Sequence, residues 1–112
     1  MSGKRSRTKG HNFERAIASM FKDIGFSDAR RGIQYRDGAD APDVVGVASL
    51  WVECKRGKRV GIKRAMLQAA DACGDKKPIV VSKEDRSPIY VTMDWETFAE
   101  IIKCQSTSTQ EK

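Results

Sequence analysis

Histidine is nearly missing from this chain. His11 is the only one, and the three cysteines, Cys54, Cys73 and Cys104, lie far apart. A single imidazole leaves little scope for Ser-His or Cys-His nucleophilic designs. Three scattered thiols and one His lack the spacing of a structural zinc site. Their odd number reads as reduced thiols of a cytoplasmic protein rather than as a disulfide framework. Long apolar runs are missing too. The longest, Val44 to Val52, is broken by Gly46 and Ser49, far short of the ~20 residues that span a bilayer. No apolar stretch follows the N-terminal charges, so no secretory signal is expected. There is no internal repeat and no Walker-type phosphate loop. Acid is in short supply: 15 acidic residues stand against 21 basic ones, a net charge of +6. That excess points to a polyanionic partner, nucleic acid first and an anionic membrane second. The membrane reading lacks a basic amphipathic helix with bulky anchors.

What is present fits one domain. A chain of 112 residues is long enough for one modest core without metal or disulfide support. Residues 1–10, with Lys4, Arg5, Arg7 and Lys9 and no acid, read as a disordered basic arm; residues 105–112 read as a polar flexible tail. Between them, residues 11–104 form the domain. Phe13, Ala16, Ile17, Met20, Phe21 and Ile24 recur at helical spacing, with Asn12 as N-cap and Gly25 as C-cap. A short strand is expected around Arg30 to Ile33, then a loop to Pro42. Asp43–Val47 and Leu50–Arg56 read as two strands joined by a tight turn at Ala48-Ser49. Ile62, Ala65, Met66, Ala69, Ala70 and Cys73 mark a second helix ended by Gly74. Pro78–Ser82 is a fully apolar strand, the kind covered on both faces, and Ile89–Met93 is another. Asp94 caps a last helix whose buried face is Trp95, Phe98, Ala99 and Ile102. The order α, β, β, β, α, β, β, α predicts a three-layer α/β/α domain with a central mixed sheet.

One stretch carries chemistry. Asp43 opens one strand, and Glu53 and Lys55 lie near the end of its antiparallel partner. Residues two apart share a strand face, so the hairpin brings two carboxylates and a base together, with Val52 and Cys54 turned to the core. Trp51 shares the side of Glu53 and Lys55 and is expected to pack beneath them. Two close carboxylates repel unless a cation sits between them. Hard oxygen donors in small number suit Mg²⁺, with Mn²⁺ as substitute. Such an ion activates water and neutralises a phosphate under attack, and a lysine beside it stabilises the charge that builds up.

Surface strands also alternate Glu and Lys for cross-strand ion pairs, and an Asp with a Glu-x-Lys is a short pattern. The context favours the chemical reading. The charges flank otherwise apolar strands, where they are costly without a purpose. Glu14 sits at the edge of the first helix's apolar stripe, within reach of the same cluster. Lys55, Arg56, Lys58, Arg59, Lys63 and Arg64 place six bases in ten residues with no acid among them, ready for a phosphate backbone.

Pro42-Asp43 with Glu53-Cys54-Lys55 resembles the signature of the PD-(D/E)xK nuclease superfamily. Gly10-His11-Asn12-Phe13-Glu14-Arg15 resembles the opening of the archaeal-type Holliday junction resolvases and their phage-borne relatives. The likeness runs from about Gly10 to Ile102. It extends to the small virus-type replication-repair nucleases, whose Gln after the Glu-x-Lys strand has its candidate in Gln68. The resemblance implies a restriction-endonuclease-like core. It implies Mg²⁺ held by Asp43, Glu53 and the Cys54 carbonyl, with Glu14 direct or through water, and Lys55 as the catalytic lysine. It implies in-line hydrolysis leaving a 5′-phosphate. The resolvases carry a Ser-containing loop before the PD; here Tyr35 to Ala41 has Gly38 and no Ser, and Asp40 is a turn residue or an outlying carboxylate. Lys9, Arg30 and Arg31 join the six bases as DNA contacts. The expected function is a metal-dependent endonuclease of branched DNA, acting as a homodimer. A nicking or flap-type nuclease and a non-catalytic basic DNA-binding protein are the alternatives.

Overall fold

The computed structural model describes the backbone of residues 2–33 and 41–110 and the side chains of 8–33 and 41–105. Eight elements follow in the predicted order: α1 (Ser2–Asp23), β1 (Arg30–Arg31), β2 (Val44–Val45), β3 (Leu50–Gly57), α2 (Ile62–Ala72), β4 (Lys77–Glu84), β5 (Ile89–Met93) and α3 (Trp95–Gln110). The strands form one sheet in the order β1-β2-β3-β4-β5, parallel between β3 and β4 and antiparallel elsewhere. The single parallel pair is bridged by α2, the connection a parallel pair requires. The domain is thus α/β with a mixed five-stranded sheet and three helices.

Strand alternation divides the core between the two faces. Phe13, Ile17 and Ala18 of α1 pack on Val44, Val52, Cys54, Ile79 and Val81. Val80 points the other way and is fully buried, as are Ala65 and Ala69 of α2, so α2 covers the opposite face. Interior β4 is buried over Pro78–Ser82, as its unbroken apolar run predicts.

Local signals behave as their chemistry demands. The Asp94 carboxylate accepts the Thr97 amide at 2.8 Å, capping α3. Gly74 takes φ +56° just past α2, the left-handed position where a Cβ is unfavourable. The Leu50 amide donates to the Val47 carbonyl across the Ala48-Ser49 turn.

Four expectations need correction. The first helix does not start at Asn12: α1 begins at Ser2 and runs through the segment read as an arm. Its buried stripe is Phe13, Ile17 and Ala18, while Ala16, Met20 and Ile24 are exposed. In α3, Trp95, Phe98 and Ile102 are exposed and Thr97 is the buried residue, so that helix turns its apolar face away from the core. α3 also continues past Cys104 into the segment read as a tail.

Candidate active site

The site begins with a backbone irregularity. Val44 faces Val52 in the β2–β3 ladder, and the Asp43 amide also donates to the Val52 carbonyl, at 2.8 Å. Two residues of one strand therefore oppose one residue of its partner, the arrangement of a β-bulge, which re-aims a side chain and bends the strand. Asp43 does not simply face Glu53 across a regular hairpin. Its Oδ2 instead turns onto β3 and accepts the Cys54 amide at 2.8 Å. In a strand the N–H and C=O of one residue open to the same side, so the Cys54 carbonyl also faces the Asp43 side of β3.

The two neighbouring carboxylates are held in the same manner. Glu53 is only 7% exposed, and its Oε1 accepts the Trp51 indole N–H at 3.0 Å. Glu14 Oε1 accepts Arg31 Nε at 2.9 Å in a part-buried ion pair. Each of the three acids thus has one oxygen tethered by a donor. The second oxygen of each accepts no hydrogen bond among the described residues, and no buried side-chain oxygen there lacks a partner.

The electrostatics tie the four sequence candidates together. Burial above all raises the Asp43 carboxyl to about 7. The Cys54 amide opposes that shift; the charges of Glu53 and Glu14 add to it, and Lys55 counters them. Glu14 from α1 and Glu53 and Lys55 from β3 are thus all near enough to act on Asp43. Burial likewise drives the Cys54 thiol upward, reinforced by Asp43, Glu14 and Glu53. It is therefore no thiolate nucleophile.

Among the described residues no three His, Cys, Asp or Glu side chains form a group able to hold a metal ion. The candidate donors are the carboxylates of Asp43 and Glu53 and a backbone carbonyl. That fits an ion such as Mg²⁺, which takes one or two carboxylates and keeps several waters, and it does not fit a closed all-protein cage.

Lys55 leads from the acids to a cleft of about 390 Å³ lined by Lys55, Arg56, Arg59, Arg64 and Gln68, with no acid in its wall. The expected basic residues fall into two groups. Lys58, Arg59, Lys63 and Arg64 are exposed and enter no ion pair among the described residues. Arg56 is tied to Asp85 at 2.7 Å and leans on the Lys83 carbonyl. Lys9 lies 4.0 Å from Asp85, Arg31 is spent on Glu14, and Arg30 donates to the Asp28 carbonyl. Asp40 lies outside the described residues. The Arg31–Glu14 pair was not foreseeable from spacing, since 17 residues separate the partners. The Trp51 donor had a signal, because it stands two residues before Glu53 on the same strand face. Comparison of the chain with protein-family models, curated proteins and solved structures gives no match, so the likeness to PD-(D/E)xK nucleases stands on the motifs themselves.

Proposed function

We propose that this chain is a metal-dependent endodeoxyribonuclease with a restriction-endonuclease-like core, acting on branched DNA. What supports this reading most is one arrangement: three carboxylates, each pinned by one oxygen, beside a lysine at the mouth of an acid-free basic cleft. A protein that only binds phosphate gains nothing from buried acids next to its cationic surface, because they repel the ligand.

Asp43 and Glu53 are the residues that would hold Mg²⁺ or Mn²⁺, with the Cys54 carbonyl beside them and Glu14 reaching the ion directly or through water. When bound, the ion lowers the pKa of a coordinated water and neutralises charge on the scissile phosphate. The remaining work belongs to the chain. Trp51 and the Cys54 amide fix the carboxylates so that no reorganisation is needed during the reaction. Lys55 donates to the attacking water or to a non-bridging phosphate oxygen. Arg59, Lys63 and Arg64 fix the register of the backbone without reading its sequence. Hydrolysis in line leaves a 5′-phosphate and a 3′-hydroxyl.

The test is cleavage of a labelled four-way junction, a flap, a nicked duplex and a linear duplex, with Mg²⁺ or EDTA, by wild type and Glu53→Gln. Paired symmetric cuts in the junction alone, lost with EDTA and with the substitution, are the expected result and mark a Holliday junction resolvase. Metal-dependent cutting of flaps or nicked duplex instead keeps the chemistry and reassigns the substrate. Binding without cutting under either metal leaves a DNA-binding protein and ends the catalytic reading.

A further inference from the structure

The sheet face that carries Glu53 and Lys55 holds a second cavity. Lys55 faces Ser82 across the β3–β4 ladder, and Ser82 faces Tyr90 across β4–β5. Residues opposite one another in a ladder share a face, so one row runs from the candidate catalytic lysine to β5. Two strand spacings put Tyr90 roughly 10 Å from Lys55, backbone to backbone. Here Val60, Ser82, Glu84, Ser87, Tyr90 and Thr92 line a pocket of about 190 Å³. Val60 also lines the basic cleft, so the two cavities adjoin there. We infer that this pocket receives one unpaired nucleobase of a DNA strand whose phosphates lie in the basic cleft. The inference rests on the DNA-binding part of the proposed function and deepens it: the substrate is DNA with an unpaired nucleotide close to the scissile phosphate.

The walls select the occupant. They hold a carboxylate and no cation, which repels phosphate and admits a neutral group. The volume is below the ~300–1,000 Å³ that takes a drug-sized ligand and suits a single planar ring system. Tyr90 is 59% exposed and offers a ring on which any base can stack. The hydroxyls of Ser82 and Thr92 can donate and accept, whereas Ser87 already donates its proton to the Pro88 carbonyl, at 2.9 Å. Glu84 sets the preference among bases. Its Oε2 accepts the Val60 amide at 2.9 Å, and a carboxylate has capacity for further donors. Cytosine and adenine bring an exocyclic amino group to it; thymine has none and sets carbonyl oxygens against it. A paired base must be unstacked before it can enter, at a cost that an unpaired one largely escapes. The pocket therefore favours nucleotides already exposed at branch points, flaps and bulges.

The test is binding in EDTA, so that cutting plays no part. Fluorescence anisotropy compares a plain duplex with the same duplex carrying a bulged cytosine, adenine or thymine, or a bulged abasic residue. The wild type should bind the cytosine and adenine bulges most tightly, the thymine bulge about 10-fold less tightly, and the abasic bulge least of the four. Tyr90→Ala should weaken binding of the cytosine bulge by about 5- to 100-fold and leave the abasic bulge and the plain duplex unchanged. Tyr90→Phe keeps the ring and should match the wild type. Glu84→Gln keeps an acceptor for the Val60 amide and adds a donor, so it should erase the discrimination against thymine. Both side chains are exposed, and the plain and abasic duplexes report any misfolding on the same samples. Equal wild-type affinity for base and abasic bulges overturns the inference and leaves the nuclease reading standing. So does a base preference that survives both Tyr90→Ala and Glu84→Gln, which puts the base elsewhere on the molecule. Failure to bind any of the DNAs overturns both. Base-dependent binding by a protein that cuts nothing when Mg²⁺ or Mn²⁺ is restored supports the pocket and ends the catalytic reading alone.

Discussion

At the scale of single residues, the candidate site is a set of charges held at a cost. Asp43 ionises in the unfolded chain near its ordinary 3.8, and in the folded one only near 7. Between those values the native state binds the extra proton, so its stability falls as pH rises, and the loss is complete above about 7. Without divalent metal, the protein should lose of order 2–4 kcal/mol between pH 4.5 and 8 through this one group. Asp43→Asn keeps an acceptor for the Cys54 amide and carries no charge, so its melting temperature should be flatter over that range. Mg²⁺ should raise the wild-type melting temperature at pH 8 far more than at pH 5, and should leave Asp43→Asn largely unmoved. Melting curves in EDTA and in Mg²⁺ decide it; a wild type equally stable at both pH values in EDTA would refute the assignment. Trp51 is open to the same treatment. Trp51→Phe keeps a ring beside Glu53 and deletes the donor, so Mg²⁺ affinity by titration calorimetry should fall about 10-fold or more. Sequence pattern reached these residues in part. Asp43, Glu53 and Lys55 were visible because strand periodicity places charges on a face, and Glu14 because it borders an apolar stripe. The donors that tether two of these acids were not. Arg31 reaches Glu14 through the fold, and the Cys54 amide is a backbone group that no side-chain pattern records.

At the scale of elements, the order of helices and strands was legible because each has a strong local signal. The helices have apolar positions three and four apart, the strands are short and β-branched, and Gly and Asp mark the ends. The bulge at Asp43 was not legible, because it depends on the register between two strands rather than on either strand alone. Its neighbour across the edge is Gly32, whose amide donates to the Asp43 carbonyl at 2.8 Å. A Cβ on Gly32 would overlap the Pro42 carbonyl oxygen, a backbone atom that cannot swing aside as a side chain would. Gly32→Ala should therefore push β1 away from the bulge, costing roughly 1–3 kcal/mol of stability and displacing Asp43 from the Cys54 amide. Nuclease activity should fall by more than the folded fraction does, which denaturation and cleavage measured on the same sample will show. Gly10→Ala, where a Cβ meets nothing within 4 Å and φ is not positive, controls for the general effect of losing a glycine. α3 marks the other limit of local pattern. Its amphipathic spacing was read correctly as a helix with an apolar face, but no spacing says whether that face turns inward or toward a partner.

At the scale of the whole molecule, a net charge of +6 does not say which bases would meet the proposed DNA, but the fold divides them into those tied to acids and those left exposed. Arg56 is bound to Asp85, and on the same segment Val60 donates its amide to Glu84. These contacts fasten the chain after β3 to the β4–β5 turn, which makes Arg56 a structural brace at the cleft's edge. Arg59, Lys63 and Arg64 have no such duty. Each phosphate neutralised on duplex DNA releases condensed counterions, and the logarithm of affinity falls with the logarithm of salt by about 0.9 per contact. Alanine at Arg59, Lys63 or Arg64 should each therefore lower the slope by about one and leave the melting temperature nearly unchanged. Arg56→Ala should do the reverse, leaving the slope within error of wild type and lowering stability, because it strands Asp85 and frees the loop. Fluorescence anisotropy across a salt series, on a junction and on a linear duplex, separates the two classes. If Arg56→Ala flattened the slope as much as Arg64→Ala, the ion pair with Asp85 would be one that DNA displaces, and the basic surface would extend across the sheet's end to Lys9. If none of the four changed the slope, the polyanion would bind elsewhere on the molecule, away from the carboxylates, and the cleft beside Lys55 would lose its claim to the substrate.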